Sequence, residues 1–86
     1  MSNKQQNLID LIFVINGKEV VIDKVNVEQP LKVSVEKALG ENSRPPSDYD
    51  ALYDNASLDI NQSIEANKLP DRATIYLSLR GGKGGS

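Results

Sequence analysis

The first third of the chain shows the apolar pattern of two β-strands separated by a turn. Two runs rich in β-branched residues, LIDLIFVI and EVVIDKVNV, lie between Leu8 and Val27. Asn16-Gly17 separates them, and this pair favours the left-handed dihedral angles of a tight hairpin turn. The pattern therefore predicts an antiparallel hairpin.

The next segment has the periodicity of an amphipathic helix. Pro30 suits the first turn of a helix, where its missing N–H would have no intrahelical partner. Four apolar residues then recur at i, i+4, i+7 and i+8 and form one face: Leu31, Val35, Ala38 and Leu39. Gly40 fits a left-handed residue that ends the helix. The composition of residues 41–48, ENSRPPSD, predicts a loop.

The following segment predicts short elements. They are a strand at 49–53, a turn at 54–57 and a very short return strand at 58–60. Asn61 or Ser63 is expected to cap a single helical turn through Ile64.

The clearest strand of the second half is ATIYLSL, residues 73–79. Its odd-numbered residues are all apolar, whereas its even-numbered residues are Thr74, Tyr76 and Ser78. This alternation predicts one buried face, and the length of the run indicates a central position in the sheet.

The predicted order of elements is ββαββ, with a turn of helix before the last strand. A helix between two hairpin-like units must cross one face of a shared sheet, because both apolar surfaces need to be covered. We therefore expect an α+β domain over residues 8–79, with a mixed sheet of four to five strands on one helix. Residues 1–7 are expected to be a flexible leader, and residues 80–86 a flexible glycine-rich tail.

Composition mainly excludes functions. The 86 residues include no Cys and no His, which removes cysteine nucleophiles, Cys/His metal sites and histidine acid–base chemistry. We therefore expect no enzymatic activity, catalytic residue or metal. A formal charge of −2 gives no basic field for nucleic acid or an anionic membrane. Because no secretory signal or membrane span is visible, a cytoplasmic protein is expected. A monomer is the default expectation.

These patterns together resemble ubiquitin. The order of elements looks like the β-grasp fold, ALYDNASLDINQSI (51–64) resembles the family's strand, turn and helical-turn segment, and IYLSLRGG (75–82) is similar to its last strand and diglycine tail. The chain departs from ubiquitin in its polar leader, its shorter first hairpin turn, its lack of well-spaced lysines and its continuation past the first diglycine. It is similar to the ubiquitin-like proteins that bacteria encode beside activating, conjugating and deubiquitinase-like enzymes.

The resemblance implies a protein modifier that acts through its tail. In this family a protease exposes a terminal glycine, an activating enzyme adenylates it with ATP, and the glycine is then joined to target proteins by an isopeptide or other bond. The modifier itself needs no cofactor. The implied tail residues are Arg80, Gly81, Gly82, Lys83, Gly84 and Gly85. Either Gly82 or Gly85 is the reactive end, and the distance from the last strand favours Gly82.

Glycine suits such a tail because it lets the backbone enter a narrow active site. Seven extended residues reach at most about 25 Å from the domain. Arg80 offers a positive charge and a donor fork to an acidic surface on the activating enzyme.

The resemblance also implies a partner-binding patch at Leu52 and Tyr76. Both lie on the strand face opposite a predicted core set: Ala51, Tyr53, Ile75 and Leu77. The alternative is a register shifted by one residue, which would place Leu52 in the core.

Three alternatives remain at this point. The tail has the composition of a flexible linker as well as of a conjugation tail. A sulfur carrier on the same fold would form a C-terminal thiocarboxylate, but such carriers typically end at the diglycine. A noncovalent β-grasp adaptor would not need its tail glycines.

Overall fold

The structure, a computed structural model, describes residues 8–40 and 44–80. Its elements are strands β1 (Leu8–Ile15) and β2 (Lys18–Asn26), helix α1 (Leu31–Leu39), and strands β3 (Tyr49–Tyr53), β4 (Ala56–Ser57) and β5 (Ala73–Leu79). The five strands form one sheet in the order β2-β1-β5-β3-β4. β1 and β5 run parallel, and all other neighbours run antiparallel. This arrangement confirms the predicted α+β fold and the central position of β5.

The core lies on one face of the sheet, beneath α1. Six apolar side chains are fully buried: Leu11, Phe13, Leu31, Val35, Ile64 and Ile75. Burial of a side chain of this size contributes about 1.5–3 kcal/mol. Ala38 and Leu39 pack against this core, so the predicted helix face is correct. Leu79 is an exception among the odd-numbered residues of β5, because it lies at the strand end beyond the buried Leu77 and is 51% exposed.

The β1–β2 hairpin has the predicted turn and an unpredicted β-bulge. Asn16 and Gly17 both have positive φ, as a two-residue hairpin turn requires. Farther along, Asp23 and Lys24 together oppose Asp10, and the Lys24 N–H donates to Asp10 Oδ1 at 3.1 Å. The bulge adds one residue to β2 and so keeps apolar residues on both sides of it against the core.

The helix termini differ in detail from the prediction. Pro30 is not in the first turn but precedes it, with ψ of 143°. The amides of Leu31 and Lys32 donate to the carbonyls of Gln62 and Ile60 at 2.9 and 3.0 Å. Because a helix cannot satisfy its own first amides, these bonds from a distant loop stabilise its start. Gly40 has the expected positive φ of 87°, but its ψ of 176° is extended rather than left-handed helical.

Three features of the second half differ from the prediction. The turn after β3 contains only Asp54 and Asn55, both with positive φ, so the return strand is β4 and not residues 58–60. The loop predicted at 41–48 contains a short 3-10 helix, Pro46–Asp48. Ser63 does act as a cap, but its Oγ accepts from the Ala66 N–H, so the capped turn follows it.

Asn67 holds the irregular segment between β4 and β5 together. Its Oδ1 accepts from the Asp59 N–H at 2.9 Å, and its Nδ2 donates to the carbonyls of Asp59 and Ser63 at 2.8 and 3.0 Å. One side chain thus links Asp59 to Ser63 and adds to the main-chain turn bonds of this segment.

We expect Asn67→Ala to lower the free energy of unfolding by about 0.5–1.5 kcal/mol. The substitution removes the acceptor of the Asp59 N–H, whereas the carbonyls of Asp59 and Ser63 keep the main-chain N–H groups of Gln62 and Asn67 as donors. Urea denaturation measures this change. Gln62→Ala is the control, since Gln62 is exposed in the same segment and its hydrogen bonds are made by its main chain. Equal stability of the two variants would contradict the role of Asn67.

We expect Gly40→Ala to destabilise the fold by about 1–3 kcal/mol, because its combination of φ and ψ is almost restricted to glycine. An added Cβ would meet no atom within 4 Å, so the cost is conformational and not steric crowding by neighbours. Gly17→Asn is the control, because asparagine tolerates the left-handed region at φ 79°. Urea denaturation measures both variants. If Gly40→Ala loses no more stability than Gly17→Asn, the backbone at residue 40 relaxes and the prediction is contradicted.

Candidate functional site

The sheet face opposite α1 carries a row of apolar side chains. Tyr76 of β5 is in register with Val14 of β1 on one side and with Leu52 of β3 on the other. In the adjacent row, Ile12 is in register with Val21 of β2. Directly opposed residues on neighbouring strands have their Cβ atoms about 4.5–5.5 Å apart. These five residues therefore form one continuous surface, which we call the open-face patch.

The exposure of the patch is uneven. Tyr76 and Val21 are 54% and 55% exposed. Leu52, Ile12 and Val14 are half-buried by their neighbours. Aromatic residues are enriched at protein interfaces, so the exposed ring of Tyr76 beside half-buried aliphatic side chains makes this face a candidate docking surface.

The structure places both residues that the sequence assigned to the patch on this face. Three members of the predicted core set, Ala51, Ile75 and Leu77, are buried on the other face, and Tyr53 packs against the core. Leu52 lies outside that core cluster. The register shifted by one residue is therefore wrong.

Sequence reasoning missed the contribution of the first hairpin to the patch. The sequence pattern identified three of its members only as strand residues: Ile12, Val14 and Val21. The signal was present in β1, because LIDLIFVI is apolar at nearly every position and not at alternate ones. Such a run indicates a strand with apolar residues on both faces.

The base of the tail is held against β3. The Arg80 N–H donates to the Asp48 carbonyl at 2.9 Å, and Arg80 Nε lies 3.0 Å from Asp50 Oδ1. Arg80 was predicted to offer its charge to a partner, but here it forms an ion pair within the domain. The other predicted tail residues lie outside the described residues: Gly81, Gly82, Lys83, Gly84 and Gly85.

An open depression of about 550 Å³ lies beside this ion pair. Its lining includes Asp50 and Arg80 together with Ser57, Asp59 and Asn61. Within residues 8–40 and 44–80, no group of three or more acidic, His or Cys side chains is placed to hold a metal ion. No helix among these residues is long and apolar enough to cross a membrane. The features that stand out are thus the open-face patch and the ion pair between Arg80 and Asp50.

Comparison with known proteins supports the fold. The chain is similar to a solved protein designed de novo on the basis of ubiquitin, with a TM-score of 0.73, 18% identity, and coverage of 91% of this chain and 95% of that one. It is also similar to the N-terminal ubiquitin-like domain of the 4931431F19Rik protein, solved in solution, with a TM-score of 0.62, 14% identity, and coverage of 100% and 91%. The sequence has no significant match among curated proteins.

One family model covers almost the whole chain. Residues 4–85 match the model described as Protein of Unknown function (DUF2604). The identities to the solved structures are low, so those structures inform on the fold alone. The chain is therefore a member of the DUF2604 family with a ubiquitin-like β-grasp fold.

Proposed function

We propose that this protein is a ubiquitin-like modifier that is processed at a C-terminal diglycine and conjugated to target proteins. The observation that carries the proposal is the sequence Arg80-Gly81-Gly82 directly after the last strand of a ubiquitin-like fold. The glycines start immediately after a well-patterned last strand and its Leu79-Arg80 pair, and this placement favours a conjugation tail over a linker. The alternatives of a sulfur carrier and a noncovalent adaptor become outcomes of the test.

The proposed chemistry uses the glycine carboxylate as an acyl donor. A protease hydrolyses the bond after the reactive glycine, and an activating enzyme joins the new carboxylate to AMP with release of pyrophosphate from ATP. An enzyme thiol displaces AMP to give a thioester, and a target nucleophile such as a lysine amine then displaces the thiol. The modifier supplies only the acyl group, so it needs neither a catalytic residue nor a cofactor of its own.

The position of the open-face patch supports this use. Tyr76 and Arg80 belong to the same chain segment and lie four positions apart, which is about 13 Å of extended chain. A partner bound at the patch thus has the start of the tail close to its own active site. The partners that we propose are an activating enzyme, a conjugating enzyme and a processing protease in the cytoplasm, with a monomeric modifier.

We expect the double variant G81A/G82A to form no covalent adducts and the matched variant G84A/G85A to form them normally. The reason is that an added Cβ at the reactive end obstructs a narrow active site. The measurement is intact mass and denaturing capture of the tagged full chain from its native host. A free form ending at Gly82, together with adducts, would support the proposal.

The choice of protease decides whether the reactive glycine can be identified. Trypsin leaves the same Gly-Gly remnant in both cases, because Arg80 and Lys83 each directly precede a diglycine. A protease that cleaves before Asp instead leaves a remnant that starts at Asp71, the last acidic residue, and ends at Gly82 or Gly85. Replacement of one oxygen by sulfur would indicate the carrier, and unprocessed protein without adducts would contradict both covalent functions.

We expect Tyr76→Ala to reduce adduct formation at least tenfold, because an exposed aromatic residue at the centre of a docking surface contributes about 2 kcal/mol or more to binding. Urea denaturation should show a stability close to that of the wild type, since the side chain is half exposed. Leu8→Ala is the matched control, as Leu8 is also an exposed apolar strand residue, 47% exposed, but lies outside the patch. Equal loss in both variants would argue against a role of the patch.

A further inference from the structure

Two contacts hold Arg80, the residue directly after β5. One is made by its side chain and the other by its main-chain N–H. Asp50 is in register with Ser78, and Arg80 lies two residues farther along the chain, directly after β5, which places it diagonally across from Asp50. The side-chain contact joins Arg80 Nε to Asp50 Oδ1 at 3.0 Å. The main-chain contact joins the Arg80 N–H to the Asp48 carbonyl at 2.9 Å, one step past the last paired residues, Tyr49 and Leu79.

We propose that Asp50 is a positioning residue. Its ion pair with Arg80, which we call the clasp, holds Arg80 against β3 and so restrains the chain directly before the diglycine. The carboxylate of Asp48 does not take this role, because it lies 3.8 Å from Arg44 Nη1. Asp50 thus fixes the side chain, while the carbonyl of Asp48 fixes the backbone. The inference deepens the proposed function and rests on it for the purpose of the clasp.

The clasp matters because an enzyme that reads the tail must bind it in extended form. Any active site that takes up Arg80 itself has to separate Arg80 from Asp50 and to break the last ladder bond. An enzyme with a carboxylate at the mouth of its channel replaces Asp50 as the partner of Arg80, so the charge pairing is conserved during transfer. Enzymes without such a group would bind the tail less well. The clasp therefore favours partners with an acidic channel entrance.

The clasp is weak enough to be released in each cycle. The two side chains are 64% and 52% exposed, and ion pairs at such positions shift an equilibrium by about fivefold at most. Salt screens such a pair effectively. The structure therefore predicts that loss of this ion pair has a small effect on the release of Arg80, and that the effect decreases as the ionic strength rises.

Trypsin is a suitable probe, because it cleaves after Arg80 and must take that side chain into its own pocket. Lys83 provides an internal reference three residues farther along the same chain. We expect Asp50→Asn to raise the initial rate of cleavage after Arg80, relative to cleavage after Lys83, by about twofold to fivefold at low salt. Mass spectrometry of the purified full chain measures both products.

The matched control is Asp48→Asn. It removes the same charge two residues away but leaves the carbonyl that accepts from the Arg80 N–H. We expect its cleavage ratio to equal that of the wild type. In 1 M NaCl the ratio of the wild type should approach that of Asp50→Asn. An unchanged ratio in Asp50→Asn, or the same increase in both variants, would overturn the clasp.

The role of the clasp is tested with the same variants in the native host. We expect Asp50→Asn to change the rate of adduct formation at early times, whereas Asp48→Asn does not. Identical adduct formation in all three proteins would overturn the role. If even the wild type forms no adducts, the proposed function fails and the role with it, while the trypsin ratio still decides whether the clasp exists.

Discussion

The parallel pairing of β1 with β5 is the interaction on which the rest of the structure depends. It joins the first strand to the last, from Leu11 opposite Ala73 to Ile15 opposite Leu77. Parallel strands require a long connection, and here the connection from β1 to β5 contains β2, α1, β3 and β4. The pairing thus forces the helix across one face and creates the single core. It also places β5 at the centre of the sheet.

Polar contacts, not regular structure, hold the end of that connection in place. The Asp10 N–H donates to Asp71 Oδ1 at 2.9 Å, and the Arg72 N–H donates to the Asp10 carbonyl at 2.7 Å. Asp10 also accepts from the Lys24 amide at the β-bulge. One residue of β1 therefore aligns both the neighbouring hairpin strand and the start of β5. The register of the central pair depends on this small network as well as on apolar burial.

Strand β5 connects the three features that bear on function. Its odd-numbered residues up to Leu77 are buried in the core, Tyr76 projects from the open face, and Arg80 follows its end. Because Tyr76 belongs to β5 and Arg80 directly follows it, the strand fixes their relative placement and no loop intervenes.

The sequence alone determined the elements whose pattern is local. The Asn16-Gly17 turn, the helix face and the alternation of 73–79 all follow from residue spacing and turn chemistry, and they sufficed for the fold. The tertiary structure alone decided the β-bulge at Lys24 and the contribution of the first hairpin to the open-face patch. Pairing of Arg80 with Asp50 likewise depends on the register of β3 against β5. These features arise from contacts between residues distant in the chain, and no local pattern encodes which partner each residue will meet.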